Sequence, residues 1–233
     1  MSARRLILFD IDGTLLISAG AGRRAIRAAL GELIGDEDVF GRVRFDGKTD
    51  PQIVAELLQE AGHDEPCDEA RIAEVCGRYV ALLEAELGAG RATVSLMPGV
   101  TELLDRLEQE AGVVIGLLTG NLERGAALKL RASGLDPARF VLGAYGSDSA
   151  LRADLPAIAA QRAEPHFGRV PTGDEVVIIG DTPADIACGR GISARAVGVA
   201  TGAYSVAELA SHAPHAVFSD LAATEAVLAA LLG

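Results

Sequence analysis

An apolar run that ends in two aspartates is the feature of this sequence that most constrains its fold. Residues 6–9 (LILF) lead directly into DIDGT at residues 10–14. Because side chains alternate along a strand, Asp10 and Asp12 can share one face, and Gly13 allows a turn without steric cost. Two carboxylates at the end of a buried strand repel each other unless a cation lies between them or one is protonated. The pattern favours metal-assisted chemistry, since it is costly for stability alone.

Strand and helix patterns alternate along most of the chain. Such alternation predicts an α/β domain with a Rossmann-like parallel sheet. Short apolar runs predict strands at residues 6–9, 113–118, 140–142, 175–179 and 194–199. The helices predicted to follow them span residues 101–110, 122–133, 151–163, 183–190 and 221–232.

A long segment between the first two predicted strands breaks this alternation. Residues 23–34, 51–61 and 68–87 have amphipathic helical spacing. We therefore predict a core domain of residues 1–16 and 97–233, with a helical cap domain of residues 17–96 inserted after the first strand. The cap is a candidate lid over the carboxyl edge of the sheet, and the glycine-bearing stretches 88–90 and 97–99 are predicted as its return hinge.

The charge of the chain argues against nucleic-acid and membrane partners, and its cysteine content indicates its redox setting. The 233-residue chain has a formal net charge of −12, which suits neither nucleic acid nor an anionic membrane. No apolar stretch is long enough to span a bilayer. Three widely spaced cysteines favour a reduced, cytoplasmic setting over a disulfide framework. We predict a cytoplasmic protein, monomeric or homodimeric, without nucleic-acid or membrane partners.

Two further strand ends carry polar residues. In GLLTGN at residues 116–121, Thr119 ends a strand just before a helix, where its hydroxyl can bind an anion. Thr119 or Asn121 could equally cap that helix. In IIGDTPADI at residues 178–186, Asp181 lies at the strand end and Asp185 in the first helical turn. Helix capping explains either aspartate alone, but not three polar strand ends on the sheet edge where α/β folds bind ligands.

DIDGT and the downstream GDTPADI together carry a family resemblance. The chain resembles the haloacid dehalogenase-like (HAD) superfamily of hydrolases, in particular its phosphoglycolate phosphatase-like branch with a helical cap. The two motifs at strand ends are highly specific, and the resemblance covers essentially the whole chain. It implies the strand order 5-4-1-2-3, counted along the sequence, and Mg²⁺-dependent phosphate transfer.

The resemblance also implies roles for the polar strand ends. Asp10 would be the nucleophile that forms an aspartyl-phosphate, and Asp12 the general acid and then the general base. The Asp10 carboxylate and the Asp12 backbone carbonyl would bind Mg²⁺, with Asp181 as a further ligand and Asp185 acting directly or through water. Thr119 and the neighbouring Gly120 and Asn121 would hold the phosphoryl oxygens.

The sequence departs from the family pattern in its phosphate-binding cation. The usual Lys-Pro pair is absent from residues 146–155, where SDSALR stands at 147–152. Arg152 lies near the expected place, and Lys129 lies about two turns into the helix after Thr119. Each could be a solvated helix charge, but we predict that Lys129 and Arg152 form a shared positive element.

A loop of the insertion is the candidate substrate-selecting element. Related phosphatases carry a stretch similar to FDGKTD at residues 45–50 in the cap, facing the active site. Lys48, with Thr49, could contact a substrate carboxylate or phosphate, and Arg23 and Arg24 are weaker candidates. A helix N-cap explains Thr49 and Asp50 but leaves Lys48 unexplained.

The leading functional hypothesis is a Mg²⁺-dependent phosphatase of small phosphorylated metabolites, with 2-phosphoglycolate as the type substrate. A phosphosugar mutase similar to β-phosphoglucomutase stays open, because it differs in how well the cap excludes water. Phosphonate hydrolysis, with Lys48 as the Schiff base, and pyrophosphate hydrolysis are minor alternatives. A dehalogenase would leave Asp12 without a task. A binding protein that kept the fold is disfavoured by the intact set Asp10, Asp12, Thr119, Asp181 and Asp185.

Overall fold

A computed structural model describes residues 4–31, 33–88 and 93–233. Its strands are β1 (Arg5–Phe9), β2 (Leu16–Ile17), β3 (Ser95–Leu96), β4 (Val113–Thr119), β5 (Leu142–Tyr145), β6 (Val176–Gly180), β7 (Arg195–Val199) and β8 (Ala216–Phe218). Its α-helices are α1 (Ala21–Leu30), α2 (Val39–Arg42), α3 (Asp50–Glu60), α4 (Glu69–Gly88), α5 (Val100–Gln109), α6 (Glu123–Ala132), α7 (Leu155–Arg162), α8 (Glu164–Phe167), α9 (Pro183–Cys188), α10 (Val206–Ala210) and α11 (Thr224–Leu232).

The core is a six-stranded parallel sheet in the order β5-β4-β1-β6-β7-β8. This confirms the α/β class. The five predicted strands correspond, in chain order, to β1, β4, β5, β6 and β7. Counted in this way and read from β7 to β5, the observed order is the expected 5-4-1-2-3, and β8 is an extra edge strand. β1 lies in the middle, and its residues 6–9 are fully buried. A continuous apolar run suits this position, because helices cover both faces of a parallel sheet. The sequence did not predict β8, whose three residues are only partly buried.

Several predicted element boundaries differ from the observed ones, among them those of the third predicted strand and of the helix after it. The third predicted strand, at residues 140–142, corresponds to β5, which begins only at Leu142. Phe140 precedes the strand. Its ring packs edge-on against Phe9, with the ring centroids 6.5 Å apart, so its apolar character serves the core. The helix predicted from residue 151 begins at Leu155, after a 3₁₀ turn over Arg152–Asp154.

The inserted segment folds into helices α1 to α4, which pack around their own apolar cluster. Ile26, Leu57, Tyr79 and Leu83 are buried at its centre. Where the segment leaves and rejoins the core, β2 and β3 pair antiparallel, and this ribbon contains residues 17 and 96. Residues 89 and 90 of the predicted hinge lie outside the described residues, and the domain boundaries stay predictions.

No helix in the described ranges is both long enough and apolar enough to cross a membrane. The carboxyl ends of β1, β4 and β6 meet at one edge of the sheet. Helices α1, α3 and α4 and the loop before α3 lie over that edge, and a cavity remains between the two parts.

Candidate active site

The end of β1 delivers Asp10 into a buried position. Its backbone N–H donates to the Ile179 carbonyl at 2.9 Å, which continues the pairing of β1 with β6. The chain then turns at Gly13, whose φ is 85°. A Cβ at Gly13 would collide with the Asp181 carboxylate, so glycine allows both the turn and the close approach.

Three buried carboxylates meet at this edge. Oxygens of Asp10, Asp181 and Asp185, from β1, β6 and α9, all lie within 4.8 Å of one another. Asp185 also caps α9, because its Oδ2 accepts from the Thr182 N–H at 3.0 Å and the Thr182 hydroxyl at 2.6 Å. The capping and active-site interpretations of Asp185 are therefore compatible, since its second oxygen faces the cluster.

Arg152 is the guanidinium inside this cluster. Its Nη2 donates to Asp10 Oδ1 at 3.0 Å and to Asp185 Oδ1. The side chain is buried, and its Nε has no hydrogen-bond partner among the described residues. Burial acts to lower the pKa of Arg152, but Asp185 and Asp10 outweigh it and hold the pKa above its usual value. Arg152 is therefore no solvated helix charge.

One guanidinium does not balance the cluster. Burial, partly offset by Arg152, raises the pKa of Asp10 to about 6. Burial, together with the nearby Asp185 and Asp10, raises the pKa of Asp181 to about 8. Carboxylates held in this way gain from a bound cation. An all-oxygen donor set fits Mg²⁺, and Asp10, Asp181 and Asp185 are the side chains that could hold it.

Asp12 points away from this cluster into a separate network. Its Oδ2 accepts from Lys129 Nζ at 2.6 Å and from Asn121 Nδ2 at 2.8 Å. Lys129 also donates to Asn121 Oδ1 at 2.6 Å, and Asn121 Nδ2 donates to the Thr119 hydroxyl at 2.8 Å. The side chain of Asp12 is 40% exposed, whereas that of Lys129 is 5% exposed. Water can therefore reach Asp12, and Lys129 is no solvated helix charge either.

Lys129 and Arg152 belong to different hydrogen-bond networks. Lys129 contacts Asp12 and Arg152 contacts Asp10, so both predicted cations reach the strand ends but hold different aspartates. A Cβ at Gly22 of the cap would lie 3.4 Å from Lys129 Nζ. Lys129 thus lies at the junction between α6 and the cap.

The cap loop of residues 45–50 is docked directly on the core. The Asp50 N–H donates to the Gly120 carbonyl at 2.7 Å, and its carboxylate accepts from the Leu122 N–H at 2.9 Å. A Cβ at Gly120 would collide with the Lys48 carbonyl oxygen. Burial raises the pKa of Asp50 to about 6. The sequence analysis missed this docking role, because Asp50 before a proline resembles an ordinary helix start.

The two predicted substrate contacts of the loop have protein partners. The Thr49 hydroxyl donates to the Ala150 carbonyl at 2.7 Å and accepts from the Gln52 N–H at 3.2 Å, so it caps α3 and joins cap to core. Thr49 does not line the cavity, whereas Lys48 does. The Lys48 ammonium forms an ion pair with Glu56 on α3.

A second loop, after β7, also contacts the site, and the sequence did not predict this contact. The Thr201 hydroxyl donates to the Gly13 carbonyl, and a Cβ at Gly202 would collide with the Asp181 carboxylate. The loop thereby packs directly against the Asp181 carboxylate and the turn at Gly13. A glycine next to a threonine was the only sequence signal of this contact.

The cavity between core and cap has a volume of about 290 Å³. Its core side includes Asp10, Asp12, Thr119, Gly120, Asn121, Lys129, Arg152 and Asp181, and its cap side includes Arg23, Ile26, Phe45, Lys48, Ile53 and Tyr79. Most of the predicted site residues thus line one cavity. Thr49 and Asp185 do not line it, but Asp185 binds Arg152, which does.

Comparison with known proteins gives one family and several similar structures. A family model described as haloacid dehalogenase-like hydrolase matches residues 4–192. A hydrolase from Pseudomonas syringae is 23% identical with a TM-score of 0.75, covering 99% of this chain and 100% of that chain. A predicted phosphoglycolate phosphatase from Haemophilus somnus 129pt is 22% identical with a TM-score of 0.69, covering 97% and 99%.

CbbY from Rhodobacter sphaeroides is similar in two solved complexes. The complex with phosphate is 20% identical with a TM-score of 0.73, covering 98% of this chain and 99% of that chain. A mutant with xylulose-(1,5)bisphosphate is 20% identical with a TM-score of 0.71, covering 94% and 95%. At these identities the structural similarities show the fold. No match was found among curated proteins.

Proposed function

The chain belongs to the haloacid dehalogenase-like hydrolase family, and we propose that it is a Mg²⁺-dependent phosphatase of small phosphomonoesters of the 2-phosphoglycolate type. The observation that carries this proposal is the buried group of Asp10, Asp181 and Asp185 at the end of the central strands. The adjoining cavity of about 290 Å³ matches the lower end of ligand pockets, about 300–1,000 Å³. A small metabolite is therefore the fitting substrate.

Asp10 fits the role of nucleophile. One of its carboxylate oxygens attacks phosphorus, and the bond between phosphorus and the alcohol oxygen breaks. Asp12, protonated at this point, gives its proton to that oxygen, so the alcohol leaves neutral. In the second half-reaction Asp12 takes a proton from water, the water oxygen attacks phosphorus, and the bond to Asp10 breaks. Orthophosphate leaves, and both carboxyl groups return to their starting states.

Lys129 and Asn121 fit the role of holding Asp12 between the two halves. Once Asp12 has given up its proton, its carboxylate gains from the Lys129 ammonium and the Asn121 amide. The 40% exposure of Asp12 lets water reach it. This exposure supports hydrolysis over transfer to a sugar, because a mutase has to keep water out.

Thr119 and Arg152 line the cavity together with Asp10 and fit the role of binding the phosphoryl group. The Thr119 hydroxyl accepts from Asn121, which leaves its own proton for a phosphoryl oxygen, and the backbone of residues 120–121 lies beside it. Arg152, whose Nη2 contacts Asp10, also lines the cavity and adds a positive charge there. Asp10, Asp181 and the Asp12 carbonyl would hold Mg²⁺, with Asp185 close by, and the ion would supply positive charge against the crowded carboxylates and the phosphate.

Phosphonate cleavage through a cap lysine has less support. A Schiff base needs a neutral amine, whereas the Lys48 ammonium is paired with Glu56. Pyrophosphate stays a possible substrate of the same mechanism, since it too offers a phosphoryl group and an oxygen leaving group. Lys48 keeps a place in the cavity wall, and the contacts of Thr49 support a docking role for that residue.

Phosphate release from a panel of phosphorylated metabolites tests the proposal. The panel contains 2-phosphoglycolate, hexose phosphates, nucleotides and pyrophosphate, each with Mg²⁺ and with a chelator. We expect release that needs Mg²⁺ and is concentrated on one small phosphomonoester. Absence of release from every compound, by protein whose folding is verified by circular dichroism, would contradict the proposed function.

A further inference from the structure

We propose that Arg23 on the cap binds a second anionic group of the substrate, so that the preferred substrates are phosphomonoesters carrying a further carboxylate or phosphate. This inference rests on the proposed phosphatase function and concerns the end of the substrate remote from Asp10. It assigns to Arg23 the role that the sequence offered first to Lys48.

Arg23 differs from the other cations around the cavity in its ion pairing. Arg23, Lys48, Lys129 and Arg152 are the cations that line it within the described residues. Three of them already have carboxylate partners: Lys48 with Glu56, Lys129 with Asp12, and Arg152 with Asp10 and Asp185. In the described part of the chain Arg23 forms no ion pair, and its charge is available to a ligand.

Arg23 is nevertheless held in place. Its guanidinium lies over the Phe45 ring, 4.4 Å from the ring centroid. Its Nη2 donates to the carbonyls of Phe40 and Val43, both at 3.3 Å. An aromatic face and two carbonyl oxygens orient the guanidinium without neutralising it. Nε and Nη1 have no acceptor among the described residues, so they are pre-oriented donors for an anion.

The surroundings of Arg23 match a short, doubly charged substrate. Asp10 lies on the core side of the cavity and Arg23 on the cap side, so one small molecule with an anion at each end can engage both. Ile26 and Ile53 supply apolar walls on the cap side. Asp46 also lines the cavity but forms no ion pair with Arg23 within the described ranges. A guanidinium recognises carboxylate and phosphate alike through paired N–H donors.

The neighbouring Arg24 offers a matched control. It is on the same helix, but it pairs with Glu86 at 2.7 Å and donates to the Ala19 carbonyl at 2.7 Å. Arg24 does not line the cavity. Removing its charge changes the net charge of the cap as much as removing that of Arg23, without touching the cavity.

The test compares kcat and KM for matched substrates with and without the second anion. One pair is 2-phosphoglycolate and 2-hydroxyethyl phosphate, and the other is a pentose bisphosphate and the corresponding monophosphate. For wild type we expect the doubly anionic member of at least one pair to be preferred. The pair that shows the preference distinguishes a carboxylate from a phosphate.

Arg23→Gln should remove that preference. We expect about tenfold to hundredfold lower kcat/KM on the preferred substrate, mainly through KM. On the singly anionic partner, kcat/KM should stay within about twofold. Arg23→Lys should restore part of the preference, and Arg24→Gln should leave both substrates unchanged.

Three results would overturn the inference. Wild type could favour the singly anionic member of both pairs, a result that needs no variant and holds even if Arg23→Gln fails to fold. Arg23→Gln could lower kcat/KM equally for both members of a pair. A wild-type enzyme that hydrolyses no phosphomonoester would refute the proposed function itself, and the inference with it, and this outcome is distinguishable from the other two.

Discussion

The core side and the cap side of the cavity hold charge in different ways. On the core side, Asp10, Asp181 and Asp185 crowd together around a single guanidinium, that of Arg152. On the cap side, Lys48 is paired with Glu56, and Arg23 is the cation lining the cavity that has no carboxylate partner among the residues that the structure describes. The core side therefore has an excess of negative charge, which protons or a bound cation must balance, whereas on the cap side the Arg23 guanidinium is free to bind an anion.

This difference separates chemistry from selection. Buried, mutually repelling carboxylates lower the stability of the core and are useful for binding a metal ion and attacking phosphorus. A single oriented guanidinium adds little to stability and is useful for recognising a second anion. Changes on the core side should therefore alter turnover, and changes on the cap side should alter substrate preference or docking.

The largest effect is expected for Asp10→Asn. The amide removes the attacking oxygen, so phosphate release should fall at least about a thousandfold. The same change removes one of three repelling charges, so the melting temperature of the metal-free protein should stay the same or rise. Steady-state phosphate release and thermal unfolding measure the two effects. Retention of more than about a tenth of the activity would remove Asp10 as nucleophile and erase the contrast between the two sides.

Two lysines give the next largest contrast. Lys129→Met leaves the Asp12 carboxylate without its ammonium partner, and we expect kcat to fall about tenfold to hundredfold. Lys48→Met breaks a partly exposed pair with Glu56, and kcat should stay within about twofold. Phosphate-release kinetics of the two variants provide the check. Equal losses would mean that the Lys129 ammonium has no greater part in turnover than that of Lys48.

The crowded carboxylates of the core side should make the stability of the protein depend on pH and on Mg²⁺. In the metal-free protein the pKa of Asp10 is about 6 and that of Asp181 about 8, against 3.8 for an ordinary aspartate. The folded state therefore binds more protons than the unfolded state between pH 4 and 8, and its stability should fall as the pH rises through this window. Bound Mg²⁺, as proposed, would take the place of those protons.

We accordingly expect saturating Mg²⁺ to raise the melting temperature by about 5–10 °C at pH 8 and by less at pH 6. Thermal unfolding with Mg²⁺ and with a chelator at the two pH values measures this. Asp181→Asn is the control and should flatten both the pH dependence and the response to Mg²⁺. An equal Mg²⁺ effect at both pH values in wild type would argue against a metal site among these carboxylates.

The smallest effect is expected on the cap side, for Thr49→Val. The substitution removes the helix cap of α3 and the hydrogen bond to the Ala150 carbonyl, and we expect a loss of about 1 kcal/mol of stability. Urea unfolding monitored by circular dichroism provides the measurement. kcat on the preferred substrate should change less than threefold, and a much larger loss would give Thr49 a direct part in substrate binding.

The core half of the site was predictable from the sequence because strands fix geometry. Asp10, Thr119 and Asp181 each stand at the end of a buried apolar run. Parallel strands bring such ends to one edge, so local patterns were enough to place these three residues together. The same logic failed at β8, whose half-buried residues carry no comparable run.

The cap half was not predictable in the same way, because its charges depend on tertiary partners. The sequence offered Lys48 ahead of Arg23, but it could not show that Glu56 meets Lys48 or that Phe45 lies under Arg23. These pairs form only once the cap loop and helices α1 and α3 have folded together. The burial of Lys129, about two turns into α6, was hidden for the same reason.

Detection of the phosphorylated enzyme is the most direct test of whether Asp10 is the nucleophile. Wild type is mixed with Mg²⁺ and its best substrate, quenched in acid and digested, and the peptides are analysed by mass spectrometry. We expect one phosphoryl group on the peptide containing Asp10, absent from Asp10→Asn. A phosphoryl group on another residue, or none at all in wild type that turns over under the same quench, would contradict it.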